Sequence, residues 1–146
     1  MKILKKPDTF LRGPTEEVKF PLSEENKIII KNMINLMYQE RGIGLAANQV
    51  GYNRRIFVMD TSNERNNPKV FINPVVEKKA KEKLTEEEGC LSCPGSLIQV
   101  RRPIYVGLQW FCEHEKEQYK TFYHLPARVV QHEMDHLDGK LITDLS

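Results

Sequence analysis

Near the end of this 146-residue chain, His132-Glu133-Met134-Asp135-His136 sets two imidazoles four positions apart. Four residues turn a helix by about 400°, so the rings stand roughly 40° apart on one face and can share a metal ion. Glu133 lies about 100° around from His132, close enough to serve as a general base on a water without being a ligand. The ordinary alternatives are a surface helix with solvated histidines or core histidines with internal partners. A catalytic metal site also needs a third protein ligand and an open position. Cys90, Cys93, Cys112, His114 and His124 are the candidates, and spacing does not choose among them. Cys90 and Cys93 form Cys-x-x-Cys inside Glu88-Gly89-Cys90-Leu91-Ser92-Cys93-Pro94-Gly95, where Gly and Pro indicate a loop able to approach a ligand closely.

These residues need rigid elements to hold them. The segment from about Pro126 to Leu137 reads as a helix, with Pro126 suited to its first position and Asp138-Gly139 to its end. Leu125, Val129, His132 and His136 fall on one stripe, while Val130, Met134 and Leu137 form a second, so the histidines occupy positions where core residues are expected. Ser23 caps a second helix running to about Arg41, with Ile29, Ile30, Met33, Ile34, Leu36 and Met37 on its apolar face and Gly42 as the residue just past its end. Arg55 to Asp60 and Val70 to Ile72 read as buried strands separated by a polar loop, Thr61 to Lys69. Ile104 to Phe111 alternates apolar residues and leads through a charged turn at Glu113 to Glu117 into Tyr119 to Tyr123, the pattern of a hairpin. Glu77 to Glu88 has nine charged residues in twelve, and its propensity alone predicts an exposed helix.

Composition narrows the class. Hydrophobic residues make up 40% and charged residues 29%, with 8 Gly and 8 Pro, which excludes collagen-like, low-complexity and strongly disordered chains. Twenty-two Lys and Arg against twenty Asp and Glu leave a net charge of +2, too mild to indicate a specific nucleic-acid partner. No apolar run is long enough for a membrane span, and the opening Met1-Lys2-Ile3-Leu4-Lys5-Lys6-Pro7 has no apolar core of a secretory signal. Three cysteines, an odd number, suit a reducing compartment better than a disulfide framework, so a cytoplasmic location is expected. The length fits one domain spanning residues 1–146, with neither a linker nor an internal repeat.

Three blocks carry a resemblance to the peptide deformylase family. Gly42-Ile43-Gly44-Leu45-Ala46-Ala47-Asn48-Gln49 is similar to the family's first motif, Glu88-Gly89-Cys90-Leu91-Ser92 to its second, and Gln131-His132-Glu133-Met134-Asp135-His136-Leu137-Asp138-Gly139 to its third. Their order and separation agree, and the opening Ile3-Leu4-Lys5-Lys6-Pro7-Asp8 is also similar. The resemblance implies an α+β fold: a central helix bearing the third motif, antiparallel sheet around it, and a long N-terminal helix. It implies a metal-dependent hydrolase that removes the formyl group from N-formylmethionyl nascent peptides. Cys90, His132 and His136 would be the metal ligands, Glu133 the general acid and base, and Gln49 with the backbone N–H of Leu91 the oxyanion hole. The implied cofactor is one divalent ion, ferrous iron in life, with zinc or nickel as alternatives in isolated protein. Ile43, Gly44, Leu91, Leu125 and Val129 are the expected lining of the substrate pocket, and Glu88 with Arg102 the pair that braces the site. For Glu77 to Glu88 the resemblance implies strand and turn, against the propensity reading, and takes precedence.

The chain departs from the family pattern at several points. Asn48 stands where many members carry Pro, which predicts a less stiff loop with small consequence for chemistry. Cys93 adds a thiol three residues from the expected ligand, opening both a Cys90–Cys93 disulfide and a closed structural zinc site of Cys90, Cys93, His132 and His136. Ser96 and Leu97 lack the basic residue that some members place there. Many bacterial members continue into a C-terminal helix that docks near the ribosomal exit tunnel; this sequence stops at Ser146, so only a transient ribosome encounter is carried over. The expected protein is a monomer without membrane partner or specific nucleic acid. The competing enzymatic reading is an endopeptidase built on the same helix, against which stand the thiolate ligand and Gln49.

Overall fold

The computed structural model describes residues 1–145. Helix α1 (Glu24–Gln39) starts where Ser23 Oγ accepts the Asn26 N–H at 3.0 Å, and Glu24 and Glu25 sit at the positive end of its dipole. Its far end differs from expectation by one residue. The left-handed position falls to Arg41 (φ 58°), whose N–H bonds to Tyr38 O, while the Gly42 N–H reaches back to Met37 O at 2.9 Å. These paired bonds close the helix and make Gly42 the second residue beyond its cap, Glu40.

Five antiparallel strands form the main sheet: β1 (Gly44–Ala46), β2 (Ile56–Met59), β3 (Lys69–Lys79), β6 (Tyr105–Phe111) and β7 (Glu117–Tyr123), in spatial order β1-β2-β3-β6-β7. Strands β4 (Lys83–Glu88) and β5 (Ile98–Pro103) pair separately. Strand β2 is buried throughout because both sheet faces are covered. Ile56 and Val58 join the core with Ile29, Met33 and Met37 of α1, while Phe57 and Met59 join the core beneath helix α2 (His124–Leu137). The α+β architecture, the buried strands and the β6–β7 hairpin are as the sequence predicts.

Glu77 to Glu88 does not form the helix that its propensity favours; it ends β3, turns and becomes β4. Every residue from Lys83 to Glu88 pairs with the partner strand, from Lys83 opposite Pro103 to Glu88 opposite Ile98. The two-residue period places Glu86 and Glu88 on one face, where buried arginines receive them. Tertiary charge pairing overrides a weak local preference. Helix α2 also begins earlier than expected, directly from β7, so Pro126 is its third residue rather than its first; Asp138 caps its end and Gly139 follows at φ 77°. No helix among the described residues is long and apolar enough to cross a membrane.

A polar knot fixes the segment between α1 and β1. The Asp60 N–H donates to Ile43 O at 2.9 Å, and Arg65 spans Asp60 O and Gly42 O. The Asp60 carboxylate accepts from Tyr38 Oη and Ser62 Oγ at 2.6 Å and from the Ser62 and Asn67 N–H groups. Burial opposes its charge, but those donors prevail and hold its pKa down to about 2. Stability from this group is therefore complete above the ordinary value of 3.8 and lost as pH falls toward 2. Asp60→Asn is expected to melt several degrees lower at pH 7 and to lose less stability than the parent between pH 4 and 2. Thermal melting across that range checks it; parallel losses in the two proteins would assign the acid sensitivity elsewhere.

Candidate active site

Helix α2 supplies His132 and His136 one turn apart, and the loop after β4 brings Cys90 against them. His132 Nε2 lies 3.1 Å from His136 Nε2, which is 3.3 Å from Cys90 Sγ, and ligand atoms of the three residues all fall within 4.8 Å of one another. Among the described residues this is the group able to hold a metal ion. Cys93 is outside it: its N–H donates to Cys90 O at 3.0 Å, and its side chain is buried with Leu11, Val100, Leu141 and Ile142. Burial and the neighbouring Cys90 push the Cys93 thiol up to about 11. The closed four-ligand set is therefore not formed. Cys112 and His114 lie by the β6–β7 turn and His124 at the exposed start of α2, away from the cluster.

The donor set fits a divalent transition metal. One soft sulfur and two imidazole nitrogens converge, and three protein ligands leave a tetrahedral ion one open position. Glu88 Oε1 stands 3.1 Å from His132 Nδ1; a carboxylate only accepts, so Nδ1 carries the proton and the Nε2 lone pair faces the cluster. Burial disfavours charge on both rings, yet hydrogen bonds to Cys90 and Glu88 raise His132, while burial, His132 and Arg102 drive His136 well below its usual value. The two buried imidazoles are thus pushed in opposite directions.

Glu88 is itself held by Arg102, which donates through Nε at 2.6 Å and Nη2 at 2.9 Å, and by Arg128 through Nη1 at 2.6 Å. Burial would raise the Glu88 pKa, but His132 and Arg102 hold it at about 2. Arg102 also donates to Asp135 at 2.9 Å, so the brace grips α2 at a second point. Glu133 is buried, and one of its carboxylate oxygens, Oε1, has no hydrogen-bond partner. Burial, reinforced by Glu88 and Asp135 and opposed by His132 and Arg102, raises it to about 7, a value suited to taking and returning a proton. Gln49 sits on the 3₁₀ turn Ala47–Val50. Its Oε1 accepts the Ala46 N–H at 2.9 Å, which turns Nε2 toward Ser92 Oγ at 3.0 Å and Cys90 Sγ at 3.9 Å. A cleft of about 480 Å³ joins these groups, and Ile43, Gly44, Leu91, Leu125 and Val129 all line it.

The polypeptide deformylase family model matches residues 1–146. The chain belongs to this family. A peptide deformylase of Pseudoalteromonas translucida is 43% identical over 144 residues, covering 99% of this chain and 85% of the relative. One from Pseudothermotoga lettingae is 44% identical over 138 residues, covering 94% and 78%. The crystal structure of a probable peptide deformylase from synechococcus phage S-SSM7 superposes with a TM-score of 0.95 at 37% identity, covering 100% of this chain and 99% of that one. That of Synechococcus elongatus, in complex with actinonin, gives 0.95 at 38% identity, with 99% and 79% covered. As a deformylase the chain is a metal-dependent hydrolase that removes the N-formyl group from nascent peptides.

Sequence reasoning missed several residues of this deformylase site. Arg128 is buried one turn before His132; its signal was a cation on an otherwise apolar helix stretch. Asp135, inside the motif, passed unassigned. Asn48 does more than loosen a loop. It is buried, and its amide donates to the His136 backbone carbonyl, tying the Gln49 turn to the helix that bears both histidines.

Gly44 is required by close approach: a Cβ there would stand 2.6 Å from Glu133 Oε2 and 2.8 Å from Val129 Cγ1. Gly44→Ala is expected to displace the carboxylate and lower kcat by about 100-fold while the protein still folds. Formate release beside a melting curve checks this; unchanged kcat would show that the carboxylate position is not limiting.

Proposed function

We propose that Cys90, His132 and His136 hold one divalent ion, ferrous iron in the cell and zinc or nickel in isolated protein, and that the substrates are N-formylmethionyl nascent peptides. The single observation that carries this reading is the convergence of one thiol and two imidazoles beside a buried carboxylate with a free oxygen. The enzyme works as one domain over residues 1–146, as a cytoplasmic monomer with transient ribosome encounters and no nucleic-acid or membrane partner.

When bound, the ion supplies Lewis acidity that makes water a nucleophile near neutral pH. Glu133 takes the proton of the attacking water. Negative charge develops on the formyl oxygen, where the Gln49 amide and the Leu91 backbone N–H donate to it, each donor of this kind contributing about 3 kcal/mol. Glu133 then returns the proton to the departing nitrogen as the C–N bond breaks, leaving formate and a free amino terminus. Ile43, Gly44, Leu125 and Val129 hold the first side chain of the peptide. Glu88, kept anionic by Arg102, holds the His132 ring in one tautomer throughout.

Glu133→Ala is expected to retain its metal and lose formate release from a formyl-Met tripeptide by about 1000-fold or more, since it removes both proton transfers. Metal analysis beside an anaerobic, iron-loaded assay checks the pair. Full activity in that variant would overturn the assigned base, and absence of release from the parent protein would overturn the substrate.

A further inference from the structure

The cleft is not apolar at every side. Beside Ile43, Leu125 and Val129 it is lined by Arg128 and Glu86. Arg128 stands four residues before His132 on α2, so the two side chains are neighbours on one helix face. Its guanidinium crosses to the β4–β5 pair, donating to Glu88 Oε2 at 2.6 Å, to Val100 O at 3.0 Å and to Leu84 O, while Nε forms an ion pair with Glu86 Oε2 at 3.0 Å. The Arg128 side chain is only 8% exposed, against 49% for Glu86. A guanidinium has five N–H donors in a fixed fork; these hydrogen bonds take one Nη1 and both Nη2 hydrogens, the Glu86 ion pair takes Nε–H, and one Nη1 hydrogen is left. A buried cationic donor with capacity beyond its chain partners therefore borders the space for the first side chain.

The geometry points to Arg128, paired with Glu86, as a specificity determinant that admits first side chains tipped with a hydrogen-bond acceptor: methionine sulfoxide and glutamine beside methionine itself. This inference rests on the deformylase reading. A sulfoxide or amide oxygen entering the pocket meets an N–H of the fork, so its lost hydration is compensated. A hydrocarbon tip of the same length strips water from the guanidinium and returns nothing, the asymmetry that makes polar pockets selective. The paired carboxylates neutralise the cation, so the pocket selects for an acceptor and has no need of a full negative charge.

The test compares kcat/KM for N-formyl tripeptides that differ only in the first residue: methionine, methionine sulfoxide, glutamine and norleucine. The parent enzyme is expected to process the sulfoxide peptide within about threefold of the methionine one and to disfavour norleucine against the sulfoxide by about threefold or more. Arg128→Lys, which keeps the charge and loses the fork, is expected to reduce the sulfoxide-to-norleucine ratio by about tenfold. Glu86→Ala, at a half-exposed position, frees Nε–H and is expected to raise that ratio severalfold; it keeps the test decisive if Arg128→Lys folds poorly. A ratio unmoved in Glu86→Ala, or one common factor lost for all four peptides in both variants, would overturn the proposal and leave Arg128 only as a support for Glu88. Release from the formyl-Met peptide in the same assay separates this failure from failure of the deformylase reading.

Discussion

A single buried carboxylate organises this molecule. Glu88 accepts from two arginines and one histidine in a space where its side chain is 9% exposed. Taking such charges out of water costs several kcal/mol per ion, and the cost is offset only when the geometry is good and the remaining donors are matched. Here Arg102 also meets Asp135, and Arg128 also meets Glu86 and two backbone carbonyls. The network joins β4 and β5 to α2, which otherwise belong to separate layers. It thereby brings Cys90, two residues after Glu88, to histidines more than forty residues later in sequence.

The rest of the fold supplies the opposing wall. Sheet faces covered by α1 and α2 fix β1 and β2, and the Asp60–Arg65–Tyr38 knot sets the backbone at Gly42 and Ile43. Asn48 links the turn carrying Gln49 to the His136 carbonyl. Gln49 and Cys90 thus come from parts of the chain remote from the helix that carries His132, Glu133 and His136, yet the Gln49 amide reaches Ser92 and Cys90, and Cys90 meets His136. Gly44 marks how close these walls come, since Glu133 occupies the space a side chain there would need.

Local patterns were legible wherever they were strongly periodic or chemically distinctive. Ser23 and the apolar face of α1, the alternation of β6, and the spacing of His132 and His136 all needed only near neighbours in sequence. The choice of Cys90 over Cys93 depended on resemblance, because two thiols three residues apart look alike until packing buries one among Leu11, Val100 and Leu141. Glu77 to Glu88 misled because its charges reward helix locally, whereas two arginines from distant segments reward strand. Arg128 escaped notice for the same reason: a lone cation on a helix reads as surface until its carboxylate partners are placed. Arg41 took the left-handed position beside an available glycine, a choice made by the Gly42 hydrogen bonds to Met37 and Arg65.

The central claim is that one sulfur and two imidazoles, oriented through Glu88, form the metal centre. X-ray absorption at the metal edge of the iron- or zinc-loaded protein reads the ligand set directly. The account predicts one sulfur at about 2.3 Å and two imidazole nitrogens, with the remaining coordination from light atoms exchangeable with solvent. Two sulfurs and two imidazoles in a closed shell would bring Cys93 into the site and contradict it.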